Sequence, residues 1–152
     1  MVVSELMKTP PATCAVTDDL AAAAQLMRDR RCGFVPVIDS AGGVAGVLTD
    51  RDACLYAANS QRTMSHIGVR EAMAHPAVSC FADENVKVAL STMSTHHVRR
   101  LPVVDAHGHL QGVLSIDDVI QAPRRRGGPT GEDVIATLKE IVARAALAGI
   151  AR

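Results

Sequence analysis

Aromatic side chains are nearly absent from this chain, which has no tryptophan, one tyrosine and two phenylalanines among 152 residues. That scarcity argues against the stacked aromatic platforms on which single-stranded nucleic acids are held. A charge excess of either sign is missing as well. Sixteen basic and 16 acidic side chains cancel, so no overall field draws the protein toward nucleic acid or an anionic membrane, and any anion must be caught locally. No apolar run approaches the ~18 residues of a membrane span, and nothing at the N-terminus resembles a secretory leader; a cytoplasmic protein is expected. The four cysteines, Cys14, Cys32, Cys54 and Cys80, lie 18, 22 and 26 residues apart without a Cys-x-x-Cys pair. Zinc and thiol-exchange spacings are therefore absent, and the cysteines read as small buried hydrophobes. Also lacking are a glycine-rich phosphate loop, a poised carboxylate pair and a nucleophile with its base, so an enzymatic reading has no residues to rest on.

What the chain does contain is a repeat. Set against itself at an offset of 66 without gaps, residues 3 to 52 match residues 69 to 118 at 15 of 50 positions. The coincidences gather at turn-like places: Pro10 and Pro76, Pro36 and Pro102, Asp39 and Asp105, Gly42 and Gly108, Gly46 and Gly112. Val3 and Val69, Met7 and Met73, Cys14 and Cys80, and Met27 and Met93 also coincide. The chain is two copies of one unit.

Each copy reads alike. A short helical turn, "VSELM" or "VREAM", runs through a proline bend into a brief extended piece, "ATCAV" or "AVSCF". Thr17 and Asp83 stand as N-cap candidates before helices with apolar positions at Leu20, Ala23, Ala24 and Met27, or Val86, Leu90 and Met93. A branched apolar segment, a glycine-containing loop and a second apolar segment then predict a hairpin. Second helices are predicted over about 50–59 and about 116–122, the latter stopped by Pro123. The expected division is unit one over 1–60, a linker over 61–68, unit two over 69–122, a basic, glycine-rich linker over 123–130 and a C-terminal helix over 131–152. Thr130 with Asp133 forms a capping pattern for that helix, whose stripe is Val134, Leu138, Ile141, Val142 and Ala145. The stripe must be buried, on the parent domain or on a second subunit. A unit of about 55 residues seldom holds a core alone, so a mixed α/β (α+β) fold with the two copies packed sheet to sheet is expected.

Both copies carry the same junction after the hairpin, "GVLTDRD" at 46–52 and "GVLSIDD" at 112–118. Thr49-x-x-Asp52 and Ser115-x-x-Asp118 are capping boxes by pattern. The same carboxylates, at a helix start beside a strand end, can also accept hydrogen bonds from a ribose diol, while free N–H groups there favour a phosphate.

Two tandem copies of this strand, Gly-Val-Leu, Ser/Thr-x-x-Asp and helix, each preceded by a Pro-Val-(Ile/Val)-Asp strand end, resemble a pair of cystathionine beta-synthase (CBS) domains over residues 3 to about 122. The resemblance implies two pseudo-twofold-related units with clefts between them that take adenosine-containing ligands such as AMP, ADP, ATP, NAD or S-adenosylmethionine. It also implies pairing of two modules into a homodimer, and no catalytic cofactor. Carried over, a main cleft would use Ser115 and Asp118 for ribose, Ala12, Thr13, Cys32 and Gly33 for the base, and Arg99 and Arg100 for phosphate. A mirror cleft would use Thr49 and Asp52 for ribose, Val78, Ser79 and Val98 for the base, and Arg51 as its cation. Where the second copy has Arg99 and Arg100, the first has Gly33 and Phe34, so the Asp118 cleft is expected to bind more tightly.

Other features fall away. His96 and His97 are adjacent, and His107 and His109 flank Gly108; no carboxylate is spaced to join them on a metal, although His97 could approach the phosphate end. "RRR" at 124–126 is a short basic run without aromatic neighbours and reads as solvated linker. The functional expectation is a regulatory module that senses an adenosyl ligand and acts in trans on an unidentified protein partner. The alternative, from a different class, is a ligand-free dimeric scaffold that binds through its C-terminal helix.

Overall fold

Apolar spacing and polar caps set the helices in the computed structural model, which describes residues 1–123 and 127–150, with side chains described to Ala143. Helix α1 (Leu20–Arg30) buries Leu20, Ala23 and Met27, and α4 (Val86–His96) buries Val86, Ala89, Leu90 and Met93; Ala24 is only partly buried. Their caps are Asp19, whose carboxylate accepts from the Ala22 N–H at 2.8 Å, and Asn85, which accepts from the Lys87 N–H at 2.9 Å. The expected caps, Thr17 and Asp83, lie two residues upstream. There the chain is still turning, with Asp18 N–H on the Ala15 carbonyl and Glu84 N–H on the Phe81 carbonyl, so the helices start only at the first buried apolar positions, 20 and 86. Both helices end on a left-handed residue, Arg31 (φ 50°) and His97 (φ 54°).

Strand β1 (Cys14–Ala15) pairs in parallel with β2 (Phe34–Ile38), which pairs antiparallel with β3 (Val44–Thr49) in the register Val35↔Leu48 and Pro36↔Val47. The second sheet has the same order: β4 (Cys80–Phe81) runs parallel to β5 (Arg100–Val104), and β5 adjoins β6 (Leu110–Ser115). The hairpin turns hold Gly42 and Gly108 at φ 85° and 82°, where a side chain would be strained. The remaining elements are α2 (Asp50–Ser60), α3 (Val69–Ala72), α5 (Ile116–Gln121) and α6 (Gly131–Ile150), with 3-10 turns at Val3–Glu5 and Met64–His66. The fold is mixed α and β, with two three-stranded sheets and a C-terminal helix.

The chain packs into two compact units whose boundaries are not those of the sequence repeats. One comprises Met1–Thr9, Val78–Asp105 and Gln111–Arg152, the other Pro10–Ala77 and Ala106–Leu110. The leading segment of the first repeat therefore belongs to the sheet of the second. Val3 is fully buried among Leu90, Met93, Leu101 and Leu114, and Lys8 and Val113 exchange backbone hydrogen bonds at 2.9 and 3.1 Å. In the other unit Val69 lies in the core with Leu20, Val35 and Leu48, and Ala74 and Val47 exchange bonds at 2.8 and 3.0 Å.

Helix α6 begins on the expected box, with Thr130 N–H donating to Asp133 at 2.7 Å and Thr130 Oγ accepting the Asp133 N–H at 3.2 Å. Val134, Leu138 and Ile141 pack into the core of their own unit, while Val142 is 60% exposed. Ala145 lies outside the residues whose side chains are described, and the 124–126 arginines lie outside the described residues. Cys14 and Cys80 are buried, which pushes their thiols up to about 11 and about 12, with the charges of Asp18 and Glu84 adding to the effect of burial. Cys32 is half-buried, and Cys54 is exposed, contrary to expectation; it follows the buried Ala53 on α2 and so sits ~100° around the helix, toward solvent. Among the described residues no helix is long and apolar enough to cross a membrane.

The exchanged segments depend on Gly46 and Gly112. A Cβ at Gly46 would lie 2.7 Å from the Ala74 carbonyl oxygen, and one at Gly112 would lie 2.9 Å from that of Lys8. Gly46→Ala or Gly112→Ala should each destabilise the fold by about 1–3 kcal/mol through overpacking against backbone, read as a lower urea midpoint at unchanged slope.

Candidate functional site

The two strand–helix junctions are built alike and furnished differently. In the second, Ser115 closes β6 and caps α5: its Oγ accepts the Asp118 N–H at 3.1 Å and donates to Asp118 Oδ2, which also accepts the Ser115 N–H at 2.9 Å. In the first, Thr49 Oγ1 accepts the Asp52 N–H at 3.1 Å and donates to Asp52 Oδ2 at 2.6 Å. Both carboxylates are thus held beside a strand end by the hydroxyl three residues before them.

Their surroundings diverge. Asp118 is only 8% exposed, and Lys8 places Nζ 2.8 Å from its Oδ1. Burial opposes the charge of Asp118, but the Lys8 ammonium and the Ser115 hydroxyl and N–H outweigh it and hold the carboxyl below the usual carboxylate range. Lys8 was not among the residues expected from sequence. The signal was present in the repeat, where Met7-Lys8 aligns with Met73-Ala74. Arg100 faces Asp117 at 3.8 Å, and Arg99 is exposed while its carbonyl accepts the Ile116 N–H at 3.0 Å. The anticipated basic pair is therefore partly matched by a carboxylate of its own junction.

At the start of α2 the anticipated free N–H groups are engaged. Asp50 N–H donates to the Gly33 carbonyl at 3.3 Å, Arg51 N–H to the Asp50 carboxylate at 2.8 Å, and Asp52 N–H to Thr49. Asp50, at the repeat position of Ile116, supplies its own anion where a phosphate was expected. Asp52 is half-buried and lines a surface depression of about 470 Å³ along α2, with Tyr56 and Ala72.

The other candidates divide between the units. Ala12, Thr13, Cys32 and Gly33 share a unit with Thr49, Arg51 and Asp52; Cys32 and Gly33 line a depression of about 350 Å³ with Met27, Arg31 and Asp50. Thr13 and Arg51 are exposed. Val78, Ser79 and Val98 share the other unit with Arg99, Arg100, Ser115 and Asp118, and Val78 and Val98 pack on its core. His97 is tied elsewhere, its Nδ1 lying 3.1 Å from the Glu140 carbonyl oxygen of α6.

The CBS domain model matches residues 3–59 and 69–125. The chain belongs to the CBS domain family. It is 32% identical over 117 residues to the CBS domain-containing protein YhcV of Bacillus subtilis, covering 77% of this chain and 81% of that one. It is also 30% identical over 116 residues, 76% of its length, to the inosine-5'-monophosphate dehydrogenase of Mycobacterium leprae, but spans only 21% of that enzyme. A CBS domain protein of Pyrobaculum aerophilum, solved in complex with AMP, superimposes with a TM-score of 0.72 at 26% identity over 80% of this chain and 92% of its own.

Because the folded pKa of Asp118 is depressed, its ionised form stabilises the fold above the unfolded value of about 3.9, and this contribution is lost as pH falls through the folded value. Lys8→Met should raise the Asp118 pKa, observed by carboxyl NMR, and move the acid-unfolding midpoint to higher pH.

Proposed function

We propose that this CBS pair is a regulatory, non-enzymatic module that binds an adenosine-containing ligand at its strand–helix junctions. The observation that carries the reading is that both junctions present a strand-end hydroxyl and an oriented carboxylate, Thr49 with Asp52 and Ser115 with Asp118. The AMP complex of the Pyrobaculum relative supports the choice of ligand. A carboxylate fixed in this way can accept from a ribose diol, and charge-assisted bonds of this kind contribute about 1.5–3 kcal/mol. Ser115, Asp118, Thr49 and Asp52 are assigned to ribose, with Ala12, Thr13, Cys32, Gly33, Val78, Ser79 and Val98 toward the base and Arg51, Arg99 and Arg100 toward phosphate. Occupancy would shift the population of conformers and so alter a protein partner in trans, with the module acting as a cytoplasmic homodimer.

A ligand-free dimeric scaffold is the second reading. It is favoured by the apolar side chains left outward near the C-terminal helix, Ile120, Ile135 and Val142, which are 54%, 55% and 60% exposed.

A thermal-shift screen of AMP, ADP, ATP, NAD and S-adenosylmethionine separates the two. A ligand at 100 times its Kd stabilises by ~2.7 kcal/mol, a rise of roughly 5–10 °C in Tm for a chain of this size. No shift with any of the five would favour the scaffold.

A further inference from the structure

We infer that Lys8 decides which junction takes the ribose: it holds Asp118 closed, and its counterpart Ala74 leaves Asp52 open. The inference rests on the adenosyl reading above and adds to it an order of sites. That order reverses the one expected from counting Arg99 and Arg100.

The two positions are structurally equivalent. Lys8 bridges Val113 in the last strand of one sheet, and Ala74 bridges Val47 in the last strand of the other. Each follows a methionine whose sulfur packs against the junction glycine, Met7 on Gly112 and Met73 on Gly46. From the first position an ammonium reaches the junction carboxylate at 2.8 Å; at the second the side chain is a methyl group, which carries no charge to bring to Asp52.

A ribose diol binds by donating both hydroxyl protons to a carboxylate with accessible lone pairs. At Asp118, Oδ2 already accepts the Ser115 N–H and hydroxyl, Oδ1 faces Lys8, and the residue is nearly covered. Ribose must displace an ion pair there. At Asp52, Oδ2 accepts the Thr49 hydroxyl, no cation lies within ion-pair distance among the described residues, and the side chain borders an open depression. Ribose meets an unpaired carboxylate there. Arg100 does not restore the balance toward the Asp118 side, since it is turned to Asp117.

The test exchanges the two side chains. AMP is titrated calorimetrically into the full chain, its Lys8→Met variant and its Ala74→Lys variant, with thermal melts confirming that each is folded. Both positions lie at exposed side chains, so neither change alters a core. Ala74→Lys should weaken the principal AMP site at least tenfold. Lys8→Met should add a second binding event or raise the stoichiometry toward two per chain. An unchanged affinity in Ala74→Lys overturns the assignment, and so does weakened binding in Lys8→Met, which would make Lys8 a phosphate ligand. Absence of AMP binding in all three proteins, with no shift from the other adenosyl ligands, overturns the nucleotide reading itself and this inference with it.

Discussion

The exchange of leading segments, Lys8 onto Val113 and Ala74 onto Val47, is the constraint on which the rest of the structure depends. Each sheet has only three strands, and the first of them is two residues long. The last strand of each would otherwise leave backbone N–H and C=O groups unpaired along its edge. A single bridge residue, donating and accepting once, satisfies part of that edge and brings Val3 or Val69 into the core beneath it. The same crossing explains why Gly46 and Gly112 recur in the sequence: the approaching carbonyl oxygen comes within 2.7 or 2.9 Å of where a Cβ would stand. It also explains why the packed units are not contiguous in the chain, because a repeat that gives its first segment away cannot be a unit by itself.

The site inherits its geometry from the same place. The strand bridged by Lys8 at Val113 ends two residues on at Ser115, and the one bridged by Ala74 at Val47 ends two residues on at Thr49, so each bridge stands at the same step from its junction, and at the first the lysine side chain reaches the carboxylate. Lysine's long stem lets the ammonium arrive while its backbone serves the edge. The structural and electrostatic duties of the residue are thereby separated: the bridge uses N–H and C=O, and the ion pair uses the side chain.

Much of this was legible in the sequence. The duplicated prolines and glycines placed the hairpins, the 3.6-residue spacing of Leu20, Ala23 and Met27 placed a helix face, and Ser115-x-x-Asp118 announced its capping box. The caps at Asp19 and Asn85 were missed by two residues because Thr17 and Asp83 are equally good capping types, and only the position at which the chain has finished turning chooses between them. Cys54 was misplaced because residue type says nothing of helix rotation. Lys8 was missed for a different reason. Its partner is 110 positions away, and no local pattern links them; only comparison of Lys8 with Ala74 across the repeat carried the hint.

Duplication makes such divergence easy. Two copies of one fold share a backbone plan, and a substitution that leaves the backbone bridge intact changes the charge beside one junction without disturbing the other. Position 50 or 116 shows the same freedom. Ile116 is buried at the start of α5, whereas Asp50 is exposed and accepts the Arg51 N–H at the start of α2. One junction has therefore become apolar beneath and cationic at its side, and the other anionic at its tip and open at its side. With net charge zero over the whole chain, the charge that distinguishes the two junctions is local, and a pair of like-built junctions becomes a pair of unlike ones through two side chains in each.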